Sequence, residues 1–160
     1  MDKLWLQQQV LEQLSADLQQ VEAALQTAHE AATHEENIAE NKYDTLGLEA
    51  AYLATGQARR AEAIRQAIAA WRQFRPRPCD AEQGIRVGAL IRLRDADGQV
   101  QLLFLGPLGG SMRLDHGAQS VQVISTEAPL AQALFGRCEG DEVSIQVGSK
   151  RQQFEVLGLE

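Results

Sequence analysis

Apolar residues recur at sevens from the start of the chain, at Leu4, Leu11, Leu18, Leu25 and Ala32, with Leu14, Val21 and Ala28 at the alternate positions. Gln7 is the one polar interruption. A strict seven-residue repeat makes a narrow seam, the geometry of one helix against one partner rather than of a helix on a broad core. Asp2 is a suitable helix-start residue. A second stripe, Ala50, Ala54, Ala61, Ile64, Ile68 and Trp71, runs to about Phe74 with Gln57 as its polar break. It is alanine-rich at its start and bulky at its end, so an antiparallel pairing sets Ile64, Ile68 and Trp71 against Leu4 and Leu11. Each arm of roughly 30 residues would be about 45 Å long. Gly47 and Gly56 each cost about 1 kcal/mol relative to alanine and predict a weakened or bent second arm.

Arg75-Pro76-Arg77-Pro78 ends this pattern, because each proline removes a backbone donor and disfavours helix in the residue before it. We place a helical hairpin at 1–75, a linker at 76–84 and a second domain at 85–160. Beyond the prolines the period changes to two. Ala89–Arg94, the turn Asp95–Gly98 and Val100–Leu105 predict a β-hairpin. Gly106–Gly110 reads as a loop, Val121–Ile124 as a strand, and Ala128–Phe135 as a short helix closed by Gly136. Glu142–Val147 and Gln153–Leu157 around Gly148-Ser149-Lys150 form a closing hairpin. The fold class is α+β: a coiled-coil hairpin, then a twisted, mainly antiparallel sheet with one short helix.

Residues 34–44, between the two stripes, carry the carboxylates Glu35, Glu36, Glu40 and Asp44 and would form the hairpin tip. A charge run in a turn is ordinarily a solvated surface. The net charge of −7 argues against a non-specific grip on nucleic-acid phosphates and favours docking on a basic protein surface. Cys79 and Cys138 have no metal-like spacing, so two reduced thiols are expected. No basic and apolar leader opens the chain and no long apolar run follows, which places it in the cytoplasm.

His29, His34 and His116 are not spaced as metal ligands, and Ser15, Ser111, Ser120 and Ser125 lack a nucleophile arrangement. Gly106, Gly109 and Gly110 do not lie between a strand and a helix as a phosphate loop does. A stand-alone enzyme therefore has no motif behind it.

Two segments carry a resemblance. Ile124-Ser125-Thr126-Glu127-Ala128-Pro129 through Gly136, then Glu139-Gly140-Asp141-Glu142-Val143, is similar to the serine-proline-helix-glycine segment and Gly-Asp-x-Val turn of the bacterial Gre transcript cleavage factors. Thr126-Glu127-Ala128 separates a serine and proline that usually adjoin. Asn37-Ile38-Ala39-Glu40-Asn41 resembles that family's hairpin tip, with Glu40 matching its glutamate and Asn37 standing where it has an aspartate.

The resemblance implies a coiled-coil hairpin followed by an FKBP-like domain. It implies a transcription elongation regulator that binds RNA polymerase and inserts its tip in the secondary channel, stimulating cleavage of backtracked RNA. The chemistry would belong to the polymerase, with Glu40, helped by Asp44, Glu36 and Glu35, lending oxygens to a shared magnesium ion. No cofactor is expected on the chain alone. An asparagine supplies an oxygen without negative charge, which weakens a ligand role at Asn37.

Docking on polymerase is implied for Ser125, Pro129, Leu130, Gly136 and Asp141. Arg59, Arg60, Arg65, Arg72, Arg75 and Arg77 would face nascent RNA or the channel wall, although a helix surface with i,i+4 partners is the plainer account for most of them. Neither membrane nor small-molecule substrate is implied, and a monomer is expected. Two alternatives stand: a regulator that occupies the channel without promoting cleavage, and a coiled-coil protein that self-associates.

Overall fold

The computed structural model describes residues 1–34, 45–80 and 82–160. The elements run α1 (Lys3–Thr33), α2 (Leu46–Gln73), β1 (Leu90–Asp95), β2 (Val100–Leu105), β3 (Met112–His116), β4 (Gln119–Ile124), α3 (Pro129–Leu134), β5 (Glu142–Val147) and β6 (Lys150–Leu159). The α+β class and the order of hairpin helices, sheet and short helix are as the pattern predicts. Asp2 caps α1, its Oδ1 accepting the Leu4 N–H at 2.8 Å. Neither Gly47 nor Gly56 interrupts α2.

Contacts divide the chain into two units, Met1–Leu11 with Ala69–Glu160, and Glu12–Ile68. The division falls inside both helices, whereas the residues Arg75–Pro78, where the sequence sets its boundary, follow the end of α2 at Gln73. The base of the hairpin thus belongs with the sheet.

In the unit Glu12–Ile68, Leu14, Val21 and Ala28 of α1 and Ala54, Ala61, Ala67 and Ile68 of α2 are buried. Leu18, Leu25 and Ala32 are only half-buried, so the deepest line of sevens is the one that Gln7 begins. Arg65 of α2 reaches Glu22 of α1 at 2.8 Å, and Gln7, earlier in α1, reaches Trp71, later in α2, which is an antiparallel order. The Gln57 Oε1 is buried without a hydrogen-bond partner among the described residues, at a cost of about 1–3 kcal/mol.

The other unit contains one sheet in the order β3-β4-β2-β1-β6-β5. Every pairing is antiparallel except β2 with β4, which runs parallel from Leu102↔Val121 to Leu105↔Ile124. Strand alternation separates two apolar faces. Ile91, Leu93, Leu103, Leu105 and Val156 join Ile85, Ala131 and Leu134 of the α3 side in one core. On the opposite face, Phe104 meets the helix base: its ring lies 6.1 Å from that of Trp71 and 6.3 Å from that of Phe74.

Three expectations change here. Leu4 is 65% exposed instead of sitting in the seam, because the buried line at the start of α1 is Leu6, Val10 and Leu14. That four-residue spacing suits a broad surface, and the base lies on a sheet. Trp71 accordingly packs against Phe104 and Phe74. The strand β3 was not expected, since its five residues mix polar and apolar between glycine-rich stretches. The closing strand β6 is also longer, ten residues, with a register shift against β1 between Arg92 and Leu93.

Gln7 has a definite role. Its Nε2 donates to the carbonyls of Trp71 at 2.6 Å and Phe74 at 2.9 Å, satisfying backbone acceptors at the end of α2. The loop after β2 closes over the same tryptophan. A Cβ on Gly106 would lie 2.2 Å from the Trp71 ring, and one on Gly110, where φ is +72°, 2.7 Å from its Nε1. These glycines make room for the indole.

Gly106→Ala should therefore cost about 1–3 kcal/mol by overpacking against a ring that has nowhere to move. Gly56→Ala, with open space around its Cβ, should stabilise by about 1 kcal/mol. Urea unfolding of the two variants checks both, and equal midpoints would refute the packing account. Trp71→Ala should lose about 3–5 kcal/mol in the same measurement.

Candidate functional site

Glu35, Glu36, Asn37, Glu40 and Asp44 lie outside the described residues. On their two sides, α1 ends at Thr33, followed by exposed His34, whose N–H reaches the Glu30 carbonyl at 2.9 Å, and α2 begins at Leu46. Among the described residues no group of three or more His, Cys, Asp or Glu is placed to hold a metal ion.

The segment expected to dock runs from the end of β4 through α3 to β5. Ser125 is buried, and its carbonyl accepts the Ala128 N–H at 3.1 Å. Pro129 opens α3, where its missing donor costs nothing, and stands exposed. Leu130 is half-buried against the core. Gly136 ends the helix in the left-handed region at φ +72° and donates its N–H to Ile85 at 2.9 Å. Asp141 holds a turn: its Oδ2 accepts the Cys138 N–H at 2.9 Å and its carbonyl accepts the Val156 N–H at 2.9 Å.

These five residues thus divide by role. Gly136 and Asp141 are spent on backbone geometry, Ser125 is inside, and Pro129 with part of Leu130 forms the surface. The turn before β1 packs on the same helix end, since a Cβ on Gly84 would lie 2.6 Å from the Gly136 carbonyl oxygen.

The arginines also separate. Arg65 pairs with Glu22 at 2.8 Å and Glu62 at 3.6 Å. Its hydrogen bond to Glu22 raises its pKa further. Arg75 donates to the carbonyls of Arg72 and Phe74. Both serve the helix surface, as the plainer account holds. Arg59 and Arg60 are exposed, and neither makes a salt bridge among the described residues.

His116 stacks edge-on against Trp5 at 4.5 Å between ring centroids. Cys79 and Cys138 are half-buried and not joined in a disulfide, with the Cys79 Sγ 3.8 Å from the Gly84 carbonyl. Lys3 donates to the Arg77 carbonyl at 2.9 Å, and burial lowers its pKa against the opposing pull of Cys79 and Glu160. No described helix is long and apolar enough to cross a membrane.

Two surface features were not legible as sites. A cavity of about 340 Å³ lies at one end of β1, β5 and β6, walled by Arg94, Ser144, Arg151, Phe154 and Glu155. In its walls Arg94 pairs with Glu155 and Arg151 donates a hydrogen bond to the Ser144 hydroxyl. The other is an exposed apolar cluster at the start of α2, formed by Leu46, Leu48, Tyr52 and Leu53. Its signal in the sequence is that these residues stand off the seven-residue stripe.

Residues 81–160, half of the chain, match the family described as transcription elongation factor, GreA/GreB, C-terminal. The chain is 38% identical over 74 residues to transcription elongation factor GreA of Desulfovibrio desulfuricans, covering 45% of this chain and 41% of that protein. It is 33% identical over 73 residues to GreA of Helicobacter hepaticus, covering 46% and 42%. These matches span about two fifths of each relative's length.

Similar solved structures include the GreA factor homolog Gfh1 of Thermus thermophilus, 19% identical over 94% of both chains with a TM-score of 0.37. Another is GreA/GreB from Nitrosomonas europaea, 18% identical over 61% of this chain and 78% of that one, with a TM-score of 0.37. On the match of residues 81–160, the chain belongs to the GreA/GreB family of transcription elongation factors.

Proposed function

We propose that the chain binds RNA polymerase through the exposed side of its β4–α3–β5 segment and inserts the residues between α1 and α2 in the secondary channel. The observation that carries this is a domain of the GreA/GreB family joined to an antiparallel helix pair. The base of that pair packs on the sheet through Trp71. A tip held on two long helices is a device for delivering side chains to a site that another protein owns.

Glu40 is the carboxylate we assign to a magnesium ion shared with polymerase, with Glu35, Glu36 and Asp44 as helpers. Magnesium suits such a role because it takes oxygen ligands and is commonly held by only one or two carboxylates per partner. Bound there, the ion would stabilise attacking and leaving oxygens during RNA cleavage. Asn37 adds an oxygen without charge, so stimulation should be weaker than with an aspartate at that position. The chain lends ligands and performs no reaction alone. A regulator that fills the channel without promoting cleavage is the second reading, and Asn37 is what favours it.

Backtracked elongation complexes distinguish the two. Added protein should release shortened RNA, Glu40→Ala should reduce that release by at least about tenfold while leaving polymerase binding intact, and Asn37→Asp should increase it. Binding with no shortened RNA from either the native protein or Asn37→Asp would leave the occupancy reading. Absence of binding in a pull-down with core polymerase would overturn both.

A further inference from the structure

The sheet ends at two strands, β3 and β5, and the chain treats them differently. An open edge presents unpaired N–H and C=O groups, which proteins ordinarily guard with charge, proline, a bulge or brevity. The edge at β3 is guarded, since its five residues include Arg113, Asp115 and His116. The edge at β5 is not. Its six residues, Glu142–Val147, hold no proline and no basic residue, pair with β6 without a register shift, and carry one charge, at the first position.

The ladder sets the direction of the open groups. Asp141 accepts the Val156 N–H at 2.9 Å, and the two-residue turn Gly148-Ser149 makes Val147 and Lys150 a hydrogen-bonded pair. Odd-numbered residues of β5 therefore bond to β6, and the backbone groups of Glu142, Ser144 and Gln146 point away from the sheet. All three residues are exposed, and no turn or loop bond among the described residues reaches their backbone. Side-chain bonds run from Gln146 Nε2 to the Gly148 carbonyl and from Arg151 to the Ser144 hydroxyl, so they occupy none of these groups. Alternating with them, Val143, Ile145 and Val147 form an apolar row that goes from 6% exposed at Val143 to 52% at Val147.

We infer that β5 pairs with β5 of a second copy of the chain, antiparallel about a two-fold axis at Ile145, joining the two sheets into one. Self-complementarity selects this occupant. In that register Ile145 faces Ile145, Val143 faces Val147, and Ser144 and Gln146 exchange both backbone bonds. The apolar row continues across the axis on one face and the polar row on the other. Glu142 is carried to the end of the neighbouring edge where exposed Lys150 and Arg151 lie, so the one charge on the strand meets opposite charge. An axis at Ser144 would instead set Asp141 against Val147, the most exposed apolar position. A pair of six-residue strands belongs to the interfaces under about 1,200 Å² that associate weakly. The dimer should therefore dissociate with a constant on the order of 100 µM. This pairing runs through the sheet, requires neither the helical seam nor polymerase, and goes beyond the function proposed above.

Sedimentation equilibrium of the full chain between about 10 µM and 1 mM should show a reversible dimer. Ser144→Pro removes an outward N–H that the bond ladder to β6 does not use, and should weaken association at least about tenfold with unchanged far-UV circular dichroism. If that variant loses secondary structure, cross-linking decides. With Cys79→Ser and Cys138→Ser in place, Ile145→Cys should form a symmetric disulfide in the presence of oxidised glutathione. Its two Cα atoms would stand about 4.5 Å apart in a non-hydrogen-bonded pair, within disulfide reach. Val147→Cys, displaced along the strand, should not. A native chain that stays monomeric at about 1 mM overturns the inference. So does Val147→Cys linking as readily as Ile145→Cys, or a dimer that a folded Ser144→Pro leaves intact, which would mark pairing through the helices.

Discussion

The seating of Trp71 on the sheet is the interaction on which the remaining architecture depends. Its indole is fully buried, with Phe74 and Phe104 around it and Gly106 and Gly110 pressed against its ring. One large aromatic, locked by loop backbone, supplies packing area to the part of α2 that belongs to the sheet unit. Gln7 completes the joint by binding the last carbonyls of α2, so the two helices share one register at their base.

The two units use different kinds of packing. In the sheet unit, branched and aromatic side chains fill both faces and the glycines are placed by close approach. In Glu12–Ile68 the seam is mostly alanine. Burial there contributes less per residue, so this segment should open locally at lower free energy than the sheet. For a segment proposed to enter another molecule, modest rigidity is no handicap.

Much of this was legible in sequence because period and punctuation are local. The sevens, the proline pair and the two-residue alternation yield α1, α2, β1, β2, β4, β5 and β6 nearly in place. What failed was non-local. The shift from a seven-residue to a four-residue burial line at Leu6 and Val10 comes from the sheet beneath, which no spacing within α1 reveals. The strand β3 exists because β4 offers it an edge. Gly106 and Gly110 could be dismissed as a phosphate loop from context, but their real partner, Trp71, lies more than thirty residues away. In the segment expected to dock the motif residues were recognisable, while only the fold separates Gly136 and Asp141, consumed by turns, from the exposed Pro129. The carboxylates from Glu35 to Asp44 are known from their order in the chain alone.

The bond from Gln7 to both Trp71 and Phe74 has one further consequence. Because it ties a single side chain of α1 to the terminal carbonyls of α2, it sets a zero mark from which both helices are measured. A repeat inserted in α1 alone would find its partner positions out of step. Seven residues added to each helix would keep every seam position in phase and extend each by about 10 Å. The fold is thus a ruler whose length can change in heptad steps while its joint with the sheet stays the same.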